Sequence, residues 1–243
     1  MRYSISALVF LLLTFGSWAG NSIRIVTEDY PPYSYLDEQD KVTGKATHAV
    51  TAIMDQAKLA YTINLLPWAR AYDQASKNPN LLIYPLVYLD SRKEMFHFIC
   101  PIAYISDFAF YRLTSRTDID ISSIEDAKRY VTGVIRFDSI HLFLLESGFE
   151  DRKNLDVASS EDITLKKLQH GRVDLIYTSK ITLKRRLKAL DLPDDFLSPV
   201  YQIPQYSKQP LCIGLKKGSD PELVRRLKQA HQKFLKRESK TTF

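Results

Sequence analysis

Apolar and polar positions along this chain switch repeatedly between a strand period and a helix period. Ile23, Ile25 and Val26 form a short β-branched run, which reads as a strand. Val50, Ile53, Met54 and Ala57 then fall on one face of a helix predicted over 47–60. A strand over 61–66 follows, then a helix opened by Pro67 and a short buried strand over 81–84. Ser122 or Ser123 caps a helix reaching Tyr130, 131–135 is a strand, and 139–147 is a helix closed by Gly148. Ser160 caps a helix over 161–170 that Gly171 ends, and 173–177 is again a strand. Asp220 and Pro221 open the last helix, whose Leu223, Leu227, Ala230 and Phe234 form one stripe. Residues 236–243 are expected to fray. Such alternation predicts an α/β fold with largely parallel sheets.

Two segments, 104–111 and 199–206, are extended and aromatic and lack helical spacing. They bracket a self-contained run. A chain that leaves one lobe, builds a second and returns needs two such crossings. The expected division is a first lobe of 20–105 and 203–243 and a second of 106–202. Two crossings make a two-stranded hinge with a cleft between the lobes, a common home for small ligands.

Residues 1–19 add a destination. Arg2, the apolar run over 5–15 and the Ser17-Trp18-Ala19 site read as a cleavable export signal. The run is shorter than the ~20 residues that span a bilayer, so a soluble periplasmic protein is expected. The net charge of +6 is concentrated near the end. From Gln205 onward ten Lys and Arg face only Asp220, Glu222 and Glu238. A solvated helix face is the commoner cause of such a run, and no nucleic-acid motif accompanies it. Cys100 and Cys212 lie in apolar strand-like contexts. A bridge is permitted in an oxidising compartment, but two buried core thiols are the favoured reading.

The first strand leads into Glu28-Asp29-Tyr30-Pro31-Pro32-Tyr33-Ser34-Tyr35. Two prolines fix φ and remove donors, so the tyrosines sit on a stiff loop. The carboxyl end of a first α/β strand is also where such sheets place ligands. Together with Ser91-Arg92-Lys93-Glu94-Met95-Phe96-His97-Phe98, Thr132-Gly133-Val134-Ile135 and Gly171-Arg172-Val173-Asp174-Leu175-Ile176-Tyr177, this stretch resembles the periplasmic solute-binding proteins of the bacterial extracellular solute-binding family 3, polar amino-acid type. The resemblance covers nearly the whole mature chain. It implies a periplasmic-binding-protein-like type II fold. It also implies that Arg92 clamps a ligand carboxylate, that Tyr30 covers the ligand, and that Ser139 donates from a helix start. For Ser139 the plain structural alternative is a helix cap shared with Asp138.

The chain departs from that pattern where amino-acid binders carry an Asp for the ligand's ammonium. Ser179 stands there and is counted with the site. The Pro67-Trp68-Ala69-Arg70-Ala71-Tyr72 run resembles a divergent branch, in which Trp68 would offer a stacking face and Arg70 a second cation. The resulting expectation is a monomeric receptor with no cofactor or metal. It would capture a small anionic solute, an amino acid or related carboxylate, for an ABC-type permease. A sensory component docking on a membrane receptor is an alternative. A cyclohexadienyl-dehydratase-like enzyme is another, disfavoured because Ser179, Lys180, Ile181 and Thr182 stand just beyond Tyr177 where such enzymes carry acidic residues and no catalytic motif appears.

Overall fold

A computed structural model describes residues 22–206 and 208–241; the export signal expected over 1–19 lies outside them. The chain forms two five-stranded sheets that share no strand. In chain order the first lobe begins with β1 (Ile23–Thr27), the small hairpin β2 (Tyr35–Leu36) and β3 (Val42–Thr43), α1 (Lys45–Gln56), β4 (Tyr61–Leu65), α2 (Trp68–Lys77), β5 (Leu82–Val87) and β6 (Phe96–Ser106). The second lobe holds β7 (Phe108–Leu113), α3 (Ile124–Ala127), β8 (Thr132–Ile135), α4 (Ser139–Glu146), β9 (Leu155–Ala158), α5 (Glu161–Gln169), β10 (Leu175–Ser179), α6 (Lys180–Ala189) and β11 (Leu197–Tyr201). The chain then returns for β12 (Lys208–Lys216) and α7 (Pro221–Thr241).

The first sheet runs β4-β1-β5-β12-β6, with β1 parallel to β4 and β5, and β12 antiparallel to its neighbours. Every residue of β5 is buried, as expected of a strand covered on both faces. One face packs α1 and α7 through Val50, Ile53, Met54 and Leu227; the other packs α2 through Trp68, Ala71, Tyr72 and Ala75. The second sheet runs β11-β7-β10-β8-β9, with β8, β9 and β10 parallel. Its two faces carry Ile140 and Leu144 of α4 on one side and Leu165, Leu168, Leu183 and Leu187 of α5 and α6 on the other.

Four sequence expectations are corrected. The two five-stranded sheets are mixed rather than largely parallel, because β7 pairs antiparallel with β10 and β11, and β12 with β5 and β6. Cys100 and Cys212 form a disulfide rather than two core thiols. Antiparallel pairing of β12 with β6, shifted between Leu211 and Ile213, sets their Cα atoms 4.5 Å apart, within bridging reach. The last helix continues to Thr241 rather than fraying from 236. Strand β9 and helix α6 were not anticipated. Only Thr182, Leu183, Arg186 and Leu187 of α6 are buried, too narrow a stripe in a strongly basic segment to read as a helix from sequence.

Candidate functional site

The carboxyl ends of β1, β8, β9 and β10 meet between the two sheets. They enclose a cavity of about 370 Å³, within the usual range for small-molecule sites. Each strand end delivers its side chains for a local reason. After β1, Tyr30 and Ser34 close a tight turn through backbone bonds of 2.6 and 3.0 Å, and the Ser34 hydroxyl donates to the Glu28 carbonyl at 2.8 Å. That turn aims Glu28 and Tyr30 at the cavity. Gly44 adopts φ +120, and a Cβ there would lie 2.4 Å from the Tyr33 carbonyl oxygen. Glycine thus lets α1 start directly beneath the aromatic loop.

After β8, Phe137 takes a left-handed φ of 63, unusual for a bulky residue. Its amide donates to Nδ1 of the buried His141 at 3.0 Å, and the other ring nitrogen lies 3.1 Å from Asp151. This turn sets Asp138 as the N-cap of α4. Its Oδ1 accepts from the Ser139 amide at 2.6 Å and lies 3.3 Å from the Ser139 hydroxyl. After β9, Ser160 caps α5 and Glu161 is its first residue. The Thr178 hydroxyl on β10 donates to Glu161 Oε1 at 2.6 Å.

Arg92 crosses from the first lobe to the second. Its Nη1 donates to the Val87 carbonyl at 3.0 Å and its Nη2 to the Phe137 carbonyl at 2.6 Å. The guanidinium lies over the Tyr72 and Trp68 rings at 5.1 and 5.8 Å, and only 1% of the residue is exposed. Arg186 of α6 makes a second crossing. Its Nη1 is 2.7 Å from Asp29 Oδ2 and 3.3 Å from Asp162, its Nη2 donates to the Asp29 carbonyl at 2.5 Å, and its Nε lies 3.6 Å from Glu161. The lobes are therefore in contact around the cavity.

The lining holds five carboxylates, Glu28, Asp29, Asp138, Glu161 and Asp162, against two guanidiniums, leaving three formal negative charges in excess. Burial, then the charges of Asp138 and Glu161, push the Glu28 carboxyl well above the usual carboxylate range. Burial also raises Asp138, against the pull of the Ser139 amide and Arg92, and raises Glu161, against Thr178 and Arg186.

A carboxyl whose folded pKa is raised contributes stability that is present below its unfolded pKa and lost as pH rises through the folded value. Glu28→Gln is therefore expected to raise the unfolding midpoint of the ligand-free protein at pH 8. That advantage should shrink to nothing below about pH 4, where an ordinary Glu is protonated. Urea unfolding across that range checks it; an advantage that persists at low pH would assign the effect to packing.

Of the residues singled out from sequence, Tyr30, Trp68, Arg92 and Ser139 line the cavity. Arg70 does not: it lies on the exposed face of α2, because Ala71, Tyr72 and Ala75 take the sheet-facing stripe. Ser179 does not line it either. It is fully buried and caps α6, accepting from the Thr182 amide at 3.2 Å and donating to the Thr182 hydroxyl at 2.8 Å. The expected sign of the site also changes, since carboxylates outnumber the arginines and both arginines are engaged by protein groups.

Residues 23–241 match the bacterial extracellular solute-binding proteins, family 3. The chain belongs to that family. A probable amino-acid-binding protein, YxeM of Bacillus subtilis, is 26% identical over 164 residues, which span 67% of this chain and 60% of that relative's length. Among solved structures, a histidine kinase sensor domain similar to periplasmic binding proteins superimposes with a TM-score of 0.76 at 18% identity, covering 90% of this chain and 92% of that one. An ancestral arginine-binding protein bound to arginine gives 0.71 at 19%, over 88% and 92%. The arginine-, lysine-, histidine-binding protein ArtJ of Geobacillus stearothermophilus gives 0.74 at 16%, over 90% and 91%. At such identities these structures speak to the fold.

The groups that sequence reasoning passed over in this family 3 protein are Glu161, Asp138, Arg186 and Thr178. A signal existed for the first two. Both stand within three residues of the carboxyl end of a parallel strand in the second sheet, where α/β sheets place ligands. Arg186 carried none, because its helix was not recognised.

Proposed function

We propose that this family 3 protein is an extracytoplasmic receptor, exported through residues 1–19, that captures a small solute bearing an amino group. The lobes, divided at 20–105 and 203–243 against 106–202, close on it by a hinge motion about the two crossings. The closed form would then be presented to an ABC-type permease in the membrane. The observation that carries this reading is the enclosed cavity between the sheets, into which Glu28 brings a carboxyl from one lobe and Glu161 one from the other.

In this reading Glu28 and Glu161 accept hydrogen bonds from the ligand's ammonium. Tyr30 and Trp68 offer ring faces, which attract a desolvated cation by about 2 kcal/mol. The amino-acid-binding name of the Bacillus relative and the arginine-bound neighbour agree with a ligand of this class. A purely anionic solute anchored on Arg92 fits less well, because carboxyl groups outnumber guanidiniums five to two around it.

Two further readings draw on specific observations. Sensing is supported by the shared fold of the histidine kinase sensor domain. Dehydratase-like chemistry is supported by Glu28, since a carboxyl whose pKa is raised by burial in a cleft is suited to general-acid work. Binding accounts for the same residues without a reaction and is preferred.

A thermal-shift screen of the mature chain against amino acids, amines and organic acids tests the reading. A ligand at a hundred times its dissociation constant adds about 2.7 kcal/mol, a clear rise in midpoint. Trp68→Ala, which removes a cavity wall, is expected to abolish the shift. A screen without a hit, or a hit indifferent to Trp68, would place the function elsewhere.

A further inference from the structure

We infer that the cleft takes a small organic amine that carries no carboxylate, because the chain supplies that carboxylate itself through Asp138. The inference rests on the cleft being the ligand site, as proposed above.

A carboxylate entering such a cleft needs a guanidinium fork and the free amides of a helix start. Both are present, and the first amide of the helix start and both amino groups of the fork are already engaged. Asp138 Oδ1 covers the Ser139 amide at 2.6 Å and lies 3.3 Å from its hydroxyl. Arg92 gives one amino group to the Val87 carbonyl and the other to the carbonyl of Phe137, the residue next to Asp138. The charges of Arg92 and Asp138 favour each other. Arg92 Nε and Trp68 Nε1 have no hydrogen-bond partner. Both atoms have almost no accessible surface, so the donors that remain unpaired lie behind the cavity wall formed by their own side chains. A ligand carboxylate would thus meet the negative charge of Asp138 at the place where it should find donors.

The rest of the lining favours the opposite charge. Among the described residues the Glu28 carboxyl makes no hydrogen bond, and it lines the cavity. Glu161 holds one hydrogen bond, from Thr178, and a 3.6 Å approach from Arg186. Tyr30, Trp68, Phe108 and Tyr177 add ring faces, with Phe108 and Tyr177 stacked at 5.5 Å. An ammonium finds acceptors and π-faces here, and an apolar or polymethylene body finds Leu65, Leu66 and Pro67. A like-charged carboxylate finds no compensation for its desolvation.

The test is calorimetry on the mature chain with pairs that differ only in the carboxylate: agmatine and arginine, cadaverine and lysine, tyramine and tyrosine. The amine of at least one pair is expected to bind about tenfold or more tighter than its amino acid, a difference of about 1.4 kcal/mol. Asp138→Ser, which removes the carboxylate from the helix start and its negative charge from beside Arg92, should narrow or reverse that ratio. Asp138→Asn keeps the shape of the cap, should act in the same direction, and serves if the serine variant folds poorly. Amino acids that bind as tightly as their amines in every pair, or a ratio that neither variant moves, overturn the inference. Binding of amino acids or organic acids alone leaves the receptor reading standing while the inference falls. If no compound of any class binds, both fall.

Discussion

Replacing Cys100 and Cys212 together with serine is expected to lower the unfolding midpoint by about 8–20 °C. The bridge closes a segment of 112 positions, and that segment contains the entire second sheet. Loop-closure entropy for a cross-link of about this span is worth roughly 4–5 kcal/mol. Each kcal/mol moves the midpoint of a chain this size by about 2–4 °C. The bond joins β6 and β12, the two first-lobe strands from which the chain departs for the second lobe and to which it returns. It therefore keeps the two ends of the segment that builds the second sheet together in the unfolded ensemble as well. Calorimetry of the wild type with and without reductant, beside the double serine variant, measures the effect. A fall of less than about 3 °C would show that the unfolded chain is already compact enough for the bridge to matter little.

Arg92→Ala should have the second large effect, and on two quantities at once. The side chain is almost wholly buried, donates within its own lobe to Val87, and donates across the cleft to Phe137. Hydrogen bonds from a charged group contribute about 1.5–3 kcal/mol each. Truncation also leaves a void against Trp68 and Tyr72. The bond to Val87 and the lost packing bear on folding, so urea unfolding should fall by about 2–4 kcal/mol. The bond to Phe137 joins the two lobes across the cavity, so under the proposed hinge closure its loss weakens the closed form and the ligand with it. Affinity is expected to drop about tenfold to a hundredfold, at roughly 1.4 kcal/mol per factor of ten. Arg92→Lys keeps the charge but not the two-pronged geometry, and should recover stability more than affinity. An alanine variant that binds within about threefold of wild type would mean that the interlobe contact contributes nothing to closure.

Much of the architecture was legible along the chain because it is set locally. Capping serines at 123 and 160, Pro221 at the start of α7, and the buried run of β5 each act within a turn or a strand of themselves. The chain passes from the first sheet to the second between β6 and β7 and back between β11 and β12, within stretches of extended, aromatic composition. The opening loop, Trp68, Arg92 and Ser139 could likewise be picked out by residue type and by resemblance. They do line the cavity.

What each of those residues does was decided only by the tertiary structure, because it depends on partners far away in sequence. Arg92 read as an open clamp, yet Phe137, 45 positions on, accepts its free end. Ser139 read as a ligand donor, yet its neighbour Asp138 covers it. Arg70 and Ser179 were placed by chemistry alone, and the phase of α2 and the start of α6 turned them elsewhere. The disulfide depended on a register shift that no local pattern encodes. The charge of the cleft is the clearest case. Glu28, Asp138 and Glu161 belong to three separate strand ends in two sheets, and each alone is an ordinary acidic residue near a loop or cap. Residue type sets such a group's charge, but the meeting of strand ends from two sheets around one volume sets its desolvation and its neighbours, and so its role.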